Sequence, residues 1–273
     1  MSEEINEHVR ISDVQVGKGF KMMLFGEPGT EKTRTLGTSK NILIIRPPTD
    51  QLGSIEDKTG VKQIVVQDWH DMNETFSWGQ QGGFEPYDWV GLDSISLFQD
   101  HGLDDVFQDA VDRKPERAEY GPDKGEYGIN MRRLSKWVRD MYGLSDRGMF
   151  NFFLTAHAEY WEHPITGELI LAPWIQGKGM VSKITGYMNL VGYMSKEVKD
   201  DGSKQVIMYT ESPGFYGKDQ FHVADQLKSG RRGIINPTMG KIEQAIKAAA
   251  GPSEKTARKS RKRAASPRRR VAK

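Results

Sequence analysis

The feature that most constrains the fold is a short apolar run that leads directly into a glycine-rich loop. Residues 21–26, KMMLFG, have the composition of a buried strand, and residues 26–34 read GEPGTEKTR. This loop differs at one position from the G-x-x-x-x-G-K-[ST] pattern that cradles phosphates between a strand and a helix. Glu31 stands where that pattern has its second glycine. Strand and loop together predict an α/β domain that binds a phosphorylated ligand.

Strands and helices alternate downstream of the loop, which predicts a mostly parallel sheet flanked by helices. A β-hairpin with an Asp-Gly turn is predicted over 187–211, at one edge of the sheet. The stretch 113–128 is polar and broken by Pro and Gly, and is predicted as a long loop. Further strands are predicted at 41–46, 62–67, 87–96 and 149–157, and helices at 68–79, 95–112, 129–143 and 236–250.

Charge divides the chain into a core domain, residues 1–250, and a basic tail, residues 251–273. Within a net charge of +2, the tail carries +9 and the other 250 residues carry −7. The rest of the tail is small and polar, so we predict that it is disordered. Dense positive charge favours a contact with nucleic acid, and the alternative is a solubilising segment without a specific partner. The candidate DNA contacts in the tail are Arg261, Lys262, Arg263, Arg268, Arg269 and Arg270.

Composition excludes several classes of site. The chain has no cysteine, which rules out disulfides, thiolate zinc sites and a cysteine nucleophile. The N-terminus is acidic and polar, unlike a secretory signal. No apolar run reaches the ~18 residues of a membrane span. We therefore expect a cytoplasmic protein that does not contact a membrane.

Polar residues at the ends of predicted strands form a candidate site for ATP and Mg²⁺. Lys32 is expected to reach the β- and γ-phosphates, and the Thr33 hydroxyl to bind Mg²⁺. Asp93, which ends the apolar run WVGLD, is the expected partner of Mg²⁺ through water. Thr155 and His157 end a further strand, where they could sense the γ-phosphate. The residues expected around the nucleotide are Gly26, Glu27, Pro28, Gly29, Thr30, Glu31, Lys32, Thr33 and Arg34.

Glu31 raises the question of whether the loop still binds ATP. A carboxylate ~4 Å from a phosphate charge costs about 4 kcal/mol at an effective dielectric of 20. Lys32 and Arg34 could offset part of this repulsion, or the side chain could point to solvent. Three outcomes remain open: weak binding that needs DNA or a neighbouring subunit, loss of nucleotide binding, and normal binding with a rearranged loop. Retained binding is favoured because Lys32, Thr33 and Asp93 are all present.

The order of these segments resembles a known family. The motifs GEPGTEKTR, LDSIS, FLTAHAE and GYMNLVGYM, with YGKDQF after them, resemble the RecA-like P-loop ATPases of phages. Within these, the chain looks closest to the single-strand-annealing recombinases of the AAA-domain type. The segments LIIRPPTD and PWIQGKGM are similar to the actinobacterial-phage branch of that group. The resemblance covers roughly residues 15–225.

The resemblance implies ATP-dependent binding of single-stranded DNA and strand annealing or pairing in phage recombination. It also implies a homo-oligomeric ring or filament in the bacterial cytoplasm, with a phage single-strand-binding protein as a further partner. Lys32, Thr33 and Asp93 would take the nucleotide and Mg²⁺ roles. Such recombinases activate water with a Glu after the second strand. The equivalent place, near Pro47-Pro48, has no carboxylate, so Asp50 is the nearest candidate, and His157 is a further catalytic candidate.

The same resemblance places DNA-gripping loops after the fourth and fifth strands. Single-strand binding uses basic groups for the backbone and aromatic rings for base stacking. Two other functions remain open: a DNA-binding protein with a vestigial phosphate loop that does not hydrolyse ATP, and an ATPase of packaging or replication, such as a helicase loader. The candidate contacts are Arg113, Lys114, Arg117, Arg132 and Arg133 within 113–133, and Trp161, Trp174, Lys178 and Lys183 within 160–183.

Overall fold

The fold is known from a computed structural model, which describes residues 18–50, 52–55, 58–163, 165–177, 179–211, 214–222 and 233–249. The predicted basic tail, 251–273, and the candidate DNA contact Lys178 lie outside these residues. Within them, no helix combines the length and apolar character that crossing a membrane requires.

A nine-stranded sheet forms the centre of the described structure, in the order β11-β9-β8-β1-β5-β4-β2-β3, with β10 paired to β8. Pairing is parallel from β8 through β3 and antiparallel at the β9 and β11 end. The predicted α/β class with a mostly parallel sheet is therefore confirmed. The strands are β1 (Lys21–Phe25), β2 (Ile42–Arg46), β3 (Val61–Val65), β4 (Trp89–Leu92), β5 (Asn151–Ala156), β6 (Ala158–Glu162), β7 (Leu169–Pro173), β8 (Leu190–Val198), β9 (Lys204–Tyr209), β10 (Lys218–Asp219) and β11 (Gly233–Ile235).

Helices cover both faces of the sheet, as parallel sheets require. On one face, α2 to α5 pack on the side chains of Met23, Leu43 and Leu154. On the other, α1 and α6 pack on a second cluster that contains Leu24 and Ile44. The central strands are consequently buried on both sides, which explains their uninterrupted apolar sequences. The helices are α1 (Lys32–Leu36), α2 (Trp69–Trp78), α3 (Ile95–Arg113), α4 (Lys124–Asp146), α5 (Met180–Gly186) and α6 (Met239–Ala249).

The prediction of a long loop over 113–128 is wrong. A short 3₁₀ turn spans Pro115–Glu119, and α4 begins at Lys124. The Asp123 side chain accepts from the N–H of Gly125, and the Glu126 side chain accepts from the N–H of Asp123, which completes a capping box. This reciprocal cap starts the helix earlier than its apolar periodicity indicates.

Three elements at the carboxyl edge of the sheet, β6, β7 and α5, were not predicted. β6 follows β5 after a single residue and pairs with β7 as a separate two-stranded sheet. The short helix α5 comes next and packs its Val181 and Ile184 into the core. The predicted hairpin of β8 and β9 is present, with β8 parallel to β1.

Candidate nucleotide site

The glycine-rich loop leaves the central strand β1 at Phe25 and enters α1 at Lys32. Gly29 has φ +80°, a conformation that glycine adopts without steric cost. Glu31 has φ 65° and ψ 28°, the left-handed region that is unfavourable for a residue with a side chain. The backbone thus keeps, with a glutamate, the shape for which the phosphate-loop pattern uses glycine.

Lys32 folds back over this loop. It is only 8% exposed, and its Nζ donates to the carbonyls of Gly26 at 2.8 Å and Glu27 at 3.0 Å. Burial lowers the pKa of Lys32, while the charges of Asp93 and Asp50 act in the opposite direction. Both acceptors that Lys32 has among the described residues are neutral carbonyls, and a buried cation in such surroundings gains strongly from an anionic ligand. The loop therefore fits a phosphate group.

Asp93 is the buried carboxylate of the site, only 1% exposed. Thr33 donates its hydroxyl hydrogen to Oδ2 of Asp93 at 2.7 Å. Thr155, at the carboxyl end of the neighbouring strand β5, donates to Oδ1. Both carboxylate oxygens are held in place, and the Thr33 hydroxyl is directed to the side where Asp93 lies. This is the donor set that Mg²⁺ uses when it is bound through a hydroxyl, water and phosphate oxygens.

Asp50 enters the site from the loop after β2. Its pKa is raised to about 6, chiefly by burial and then by the nearby charge of Asp93. Lys32, Arg46 and a hydrogen bond from the Ser94 N–H act in the opposite direction. A carboxyl group that titrates near neutral pH beside a phosphate loop has the properties of a general base.

His157 follows β5 and lies beside the same carboxylate. Its backbone N–H donates to Oγ of Ser96 at 2.9 Å, which fixes the end of the strand. Burial lowers the pKa of the His157 imidazole, Lys32 lowers it further, and Asp93 opposes both. The ring is therefore neutral at pH 7, and its N–H can donate a hydrogen bond to a phosphate oxygen.

These groups share one cavity of about 440 Å³, a volume suited to part of a nucleotide. The structure thus brings the four predicted catalytic residues, Lys32, Asp50, Asp93 and His157, to one place. Within the described ranges, this cavity included, no cluster of three or more His, Asp or Glu side chains is arranged to hold a metal ion. The cavity is lined by Pro28, Gly29, Glu31, Lys32, Thr33, Arg34, Asp50, Ser54, Asp93, Ser94, Leu97, His157 and Lys196.

Lys196 is a residue of this cavity that sequence reasoning missed. Its Nζ lies 3.5 Å from Oε1 of Glu31, and Nη1 of Arg34 lies 3.5 Å from the same oxygen. No local pattern could reveal this contact, because Lys196 is on β8, far along the chain from the loop. The side chain of Glu31 is consequently held between two cations.

Comparison with known families identifies the chain. Residues 18–221, three quarters of the 273 residues, match the AAA domain family. The chain belongs to this family. No curated protein sequence gives a significant match. As a member of the AAA domain family it is a P-loop protein of the ATP-binding type, in which Mg²⁺ usually accompanies the nucleotide.

The predicted DNA contacts of this AAA domain fall into two groups. Arg117 forms ion pairs with Asp123 at 3.3 Å and Glu126 at 3.1 Å, so its charge is used within the fold. Arg133 is likewise paired, with Asp105 and Asp109. These two arginines are less suited to DNA than the sequence suggests. The candidates whose side chains are exposed are Arg113, Lys114, Arg132 and Lys183.

This division predicts different effects of two arginine substitutions. Arg117→Ala is expected to lower the free energy of unfolding of the AAA domain by about 1 kcal/mol, because it removes a bidentate pair with the capping residue Glu126. Arg132→Ala, which removes an exposed side chain on α4, is expected to change the free energy of unfolding by less than about 0.5 kcal/mol. Urea unfolding of both variants measures the difference, and equal losses would contradict it.

Proposed function

We propose that this protein is a Mg²⁺-dependent ATPase that binds single-stranded DNA and assembles as an oligomer on it. The proposed biological role is strand annealing or pairing in phage recombination. The observation that carries the ATPase proposal is the convergence of Lys32, Thr33, Asp50 and Asp93 on one cavity. They come from three separate places, the start of α1, the loop after β2 and the end of β4, and together they supply a cation, a hydroxyl and two carboxylates.

In this proposal each group has a separate task. Lys32 binds phosphate oxygens in place of the two loop carbonyls that it now contacts. Thr33 and Asp93 would hold Mg²⁺, which supplies charge neutralisation at the phosphates when bound. Asp50 takes the proton of the attacking water, and His157 hydrogen-bonds to the terminal phosphate.

DNA binding is supported by exposed charge and by an exposed aromatic ring on the β6–β7 hairpin. Tyr160, on the hairpin that follows His157, is 75% exposed and available for stacking. The segment 158–177 contains three Glu and no Lys or Arg, so this hairpin offers rings without attracting the phosphate backbone. The positive charge for that contact would come from the exposed cations and the tail.

Glu31 favours one alternative, a DNA-binding protein whose phosphate loop no longer supports hydrolysis. The two functions are separated by measuring phosphate release with MgATP, with and without an unstructured oligonucleotide. Our proposal expects hydrolysis that rises on adding DNA and is absent in Asp93→Asn. DNA binding without any hydrolysis would support the alternative, and no DNA binding at any salt concentration would overturn both.

Removal of the basic tail, residues 251–273, is expected to weaken single-strand binding and make it less dependent on salt. Each phosphate contact adds about 0.7 to the slope of log K against log salt concentration for single strands, so losing four or five contacts lowers the slope by about 3. Fluorescence anisotropy from 50 to 300 mM salt, roughly the range over which such slopes are resolved, measures this.

A full-length control keeps the tail but replaces Arg261, Lys262, Arg263, Arg268, Arg269 and Arg270 by Gln. We expect its slope to approach that of the truncated chain, because charge rather than length makes the contact. Equal slopes for all three proteins would show that the tail does not bind DNA.

A further inference from the structure

The position of Lys196 follows from the register of β8 against β1. The two strands are parallel, and the last paired residues are Phe25 and Tyr193. β1 ends there, whereas β8 continues to Val198. Lys196 therefore stands three residues past the end of β1, at the level of the loop, where its Nζ meets Oε1 of Glu31 at 3.5 Å.

Glu31 and Lys196 also lie between two cavities. Together with Arg34 they line both the cavity of Lys32 and a second one, also of about 440 Å³, on the other side. The second cavity has two further cations, Lys58 and Lys204. Any movement of the Glu31 carboxylate towards Lys32 would carry negative charge into the site where phosphate is expected.

We propose that Lys196 is a positioning residue, which allows this loop to bind a nucleoside triphosphate in spite of Glu31. This inference rests on the proposed function, since it concerns nucleotide binding at the same loop. Lys196 offsets the charge of Glu31 and holds its side chain on the β8 side of the loop. The left-handed backbone at Glu31 fixes where the side chain leaves the loop, and Lys196 fixes where it ends.

Arg34 is a weaker candidate for this role. Nη1 of Arg34 also lies 3.5 Å from the Glu31 carboxylate, but the Arg34 side chain is 63% exposed. Arg34 follows Glu31 by three residues, so the two side chains belong to the same helical turn. An exposed i,i+3 pair contributes little. Lys196 is less exposed and anchored on a strand, so it has the larger influence on where the carboxylate lies.

A double-mutant cycle tests the proposal with a fluorescent ATP analogue and Mg²⁺ as the probe. The proteins are wild type, Lys196→Met, Glu31→Gln and the double variant. Glu31→Gln removes the charge and leaves the side-chain size unchanged. We expect Lys196→Met to weaken binding by about tenfold when Glu31 is present and by less than about twofold with Gln at that position.

Two further variants make the result specific to this pair. Lys199→Met removes a cation from the same β-hairpin outside both cavities, and should leave affinity unchanged. Lys196→Arg keeps the charge and should restore most of the binding. Thermal unfolding of each variant is measured alongside, and the expected change is small because the pair is partly exposed.

The outcomes separate this inference from the proposed function. An equal loss in both backgrounds would mean that Lys196 contacts the phosphates itself, and no loss in either would mean that it has no role; both overturn the inference. If neither wild type nor Glu31→Gln binds the analogue, the nucleotide-binding proposal itself fails and the inference falls with it. A loss confined to the Glu31 background, rescued by Lys196→Arg, supports it.

Discussion

Lys32→Ala is expected to weaken ATP binding by about a hundredfold or more, the largest effect on affinity of any single substitution in the site. Lys32 is buried, and its Nζ has only two neutral carbonyl acceptors in the loop. Its side chain lines the cavity, so the substitution removes this charge from the site where phosphate is expected. Isothermal titration calorimetry with ATP and Mg²⁺ measures the loss.

The control for this substitution is Lys40→Ala, which removes an exposed lysine outside the cavity. Lys32→Met keeps the buried packing and tests whether lost binding reflects misfolding. Because burial lowers the pKa of Lys32, the folded state disfavours the charged form, so Met should not destabilise the fold at neutral pH. Unchanged affinity in Lys32→Ala would show that ATP, if bound, lies elsewhere.

Local sequence was sufficient to predict the phosphate loop and its strand. The apolar run of β1, the pattern that follows it and the strand-ending Asp93 each depend on neighbours along the chain. Their meeting at one edge then follows from parallel strand pairing, β1 with β5 and β5 with β4. This geometry places Lys32, Thr33 and Asp93 in one cavity. Their chemical roles there remain predictions.

Contacts between distant segments could not be predicted in the same way. Lys196 reaches Glu31 only because β8 pairs with β1 in one register and extends beyond it. Asp50 enters the cavity because the chain turns after Pro47, where the Asp50 N–H bonds to the Pro47 carbonyl and Arg46 bonds to the Asp50 carbonyl. Neither the register of β8 against β1 nor the direction of the turn after Pro47 can be predicted from the local sequence pattern.

The start of α4 and the β6–β7 hairpin were not predicted, although the local sequence contains signals for both. Asp123 and Glu126 have the spacing of a capping box, which marks the start of α4 inside the stretch predicted as a loop. The β6–β7 hairpin follows β5 with one intervening residue, so its strand signal merges with that of β5. Within 113–128, the Pro and Gly residues indicate a loop, but the capping box determines where the helix begins.

Asp50→Asn is expected to lower kcat for ATP hydrolysis by about a hundredfold while affinity for ATP stays within about threefold. The amide keeps the size of the carboxyl group but cannot accept the proton of the attacking water. In the wild type, kcat/KM should fall on the acid side with a pKa of about 6, because that is the pKa of Asp50 in the free protein. The acid limb should disappear in the variant.

The pH dependence of the free energy of unfolding is an independent check that Asp50 has a pKa of about 6 in the folded protein. The pKa of Asp50 rises from the model-compound value of 3.8 to about 6 on folding, so the folded state binds the proton more tightly than the unfolded chain does. The charged carboxylate therefore destabilises the fold fully above about pH 6, and this effect disappears below about pH 4. Asp50→Asn should be more stable than wild type at pH 8, with the difference vanishing towards pH 4. A variant that hydrolyses ATP at the wild-type rate, yet shows this stability profile, would remove Asp50 from the chemistry and leave another group to activate water.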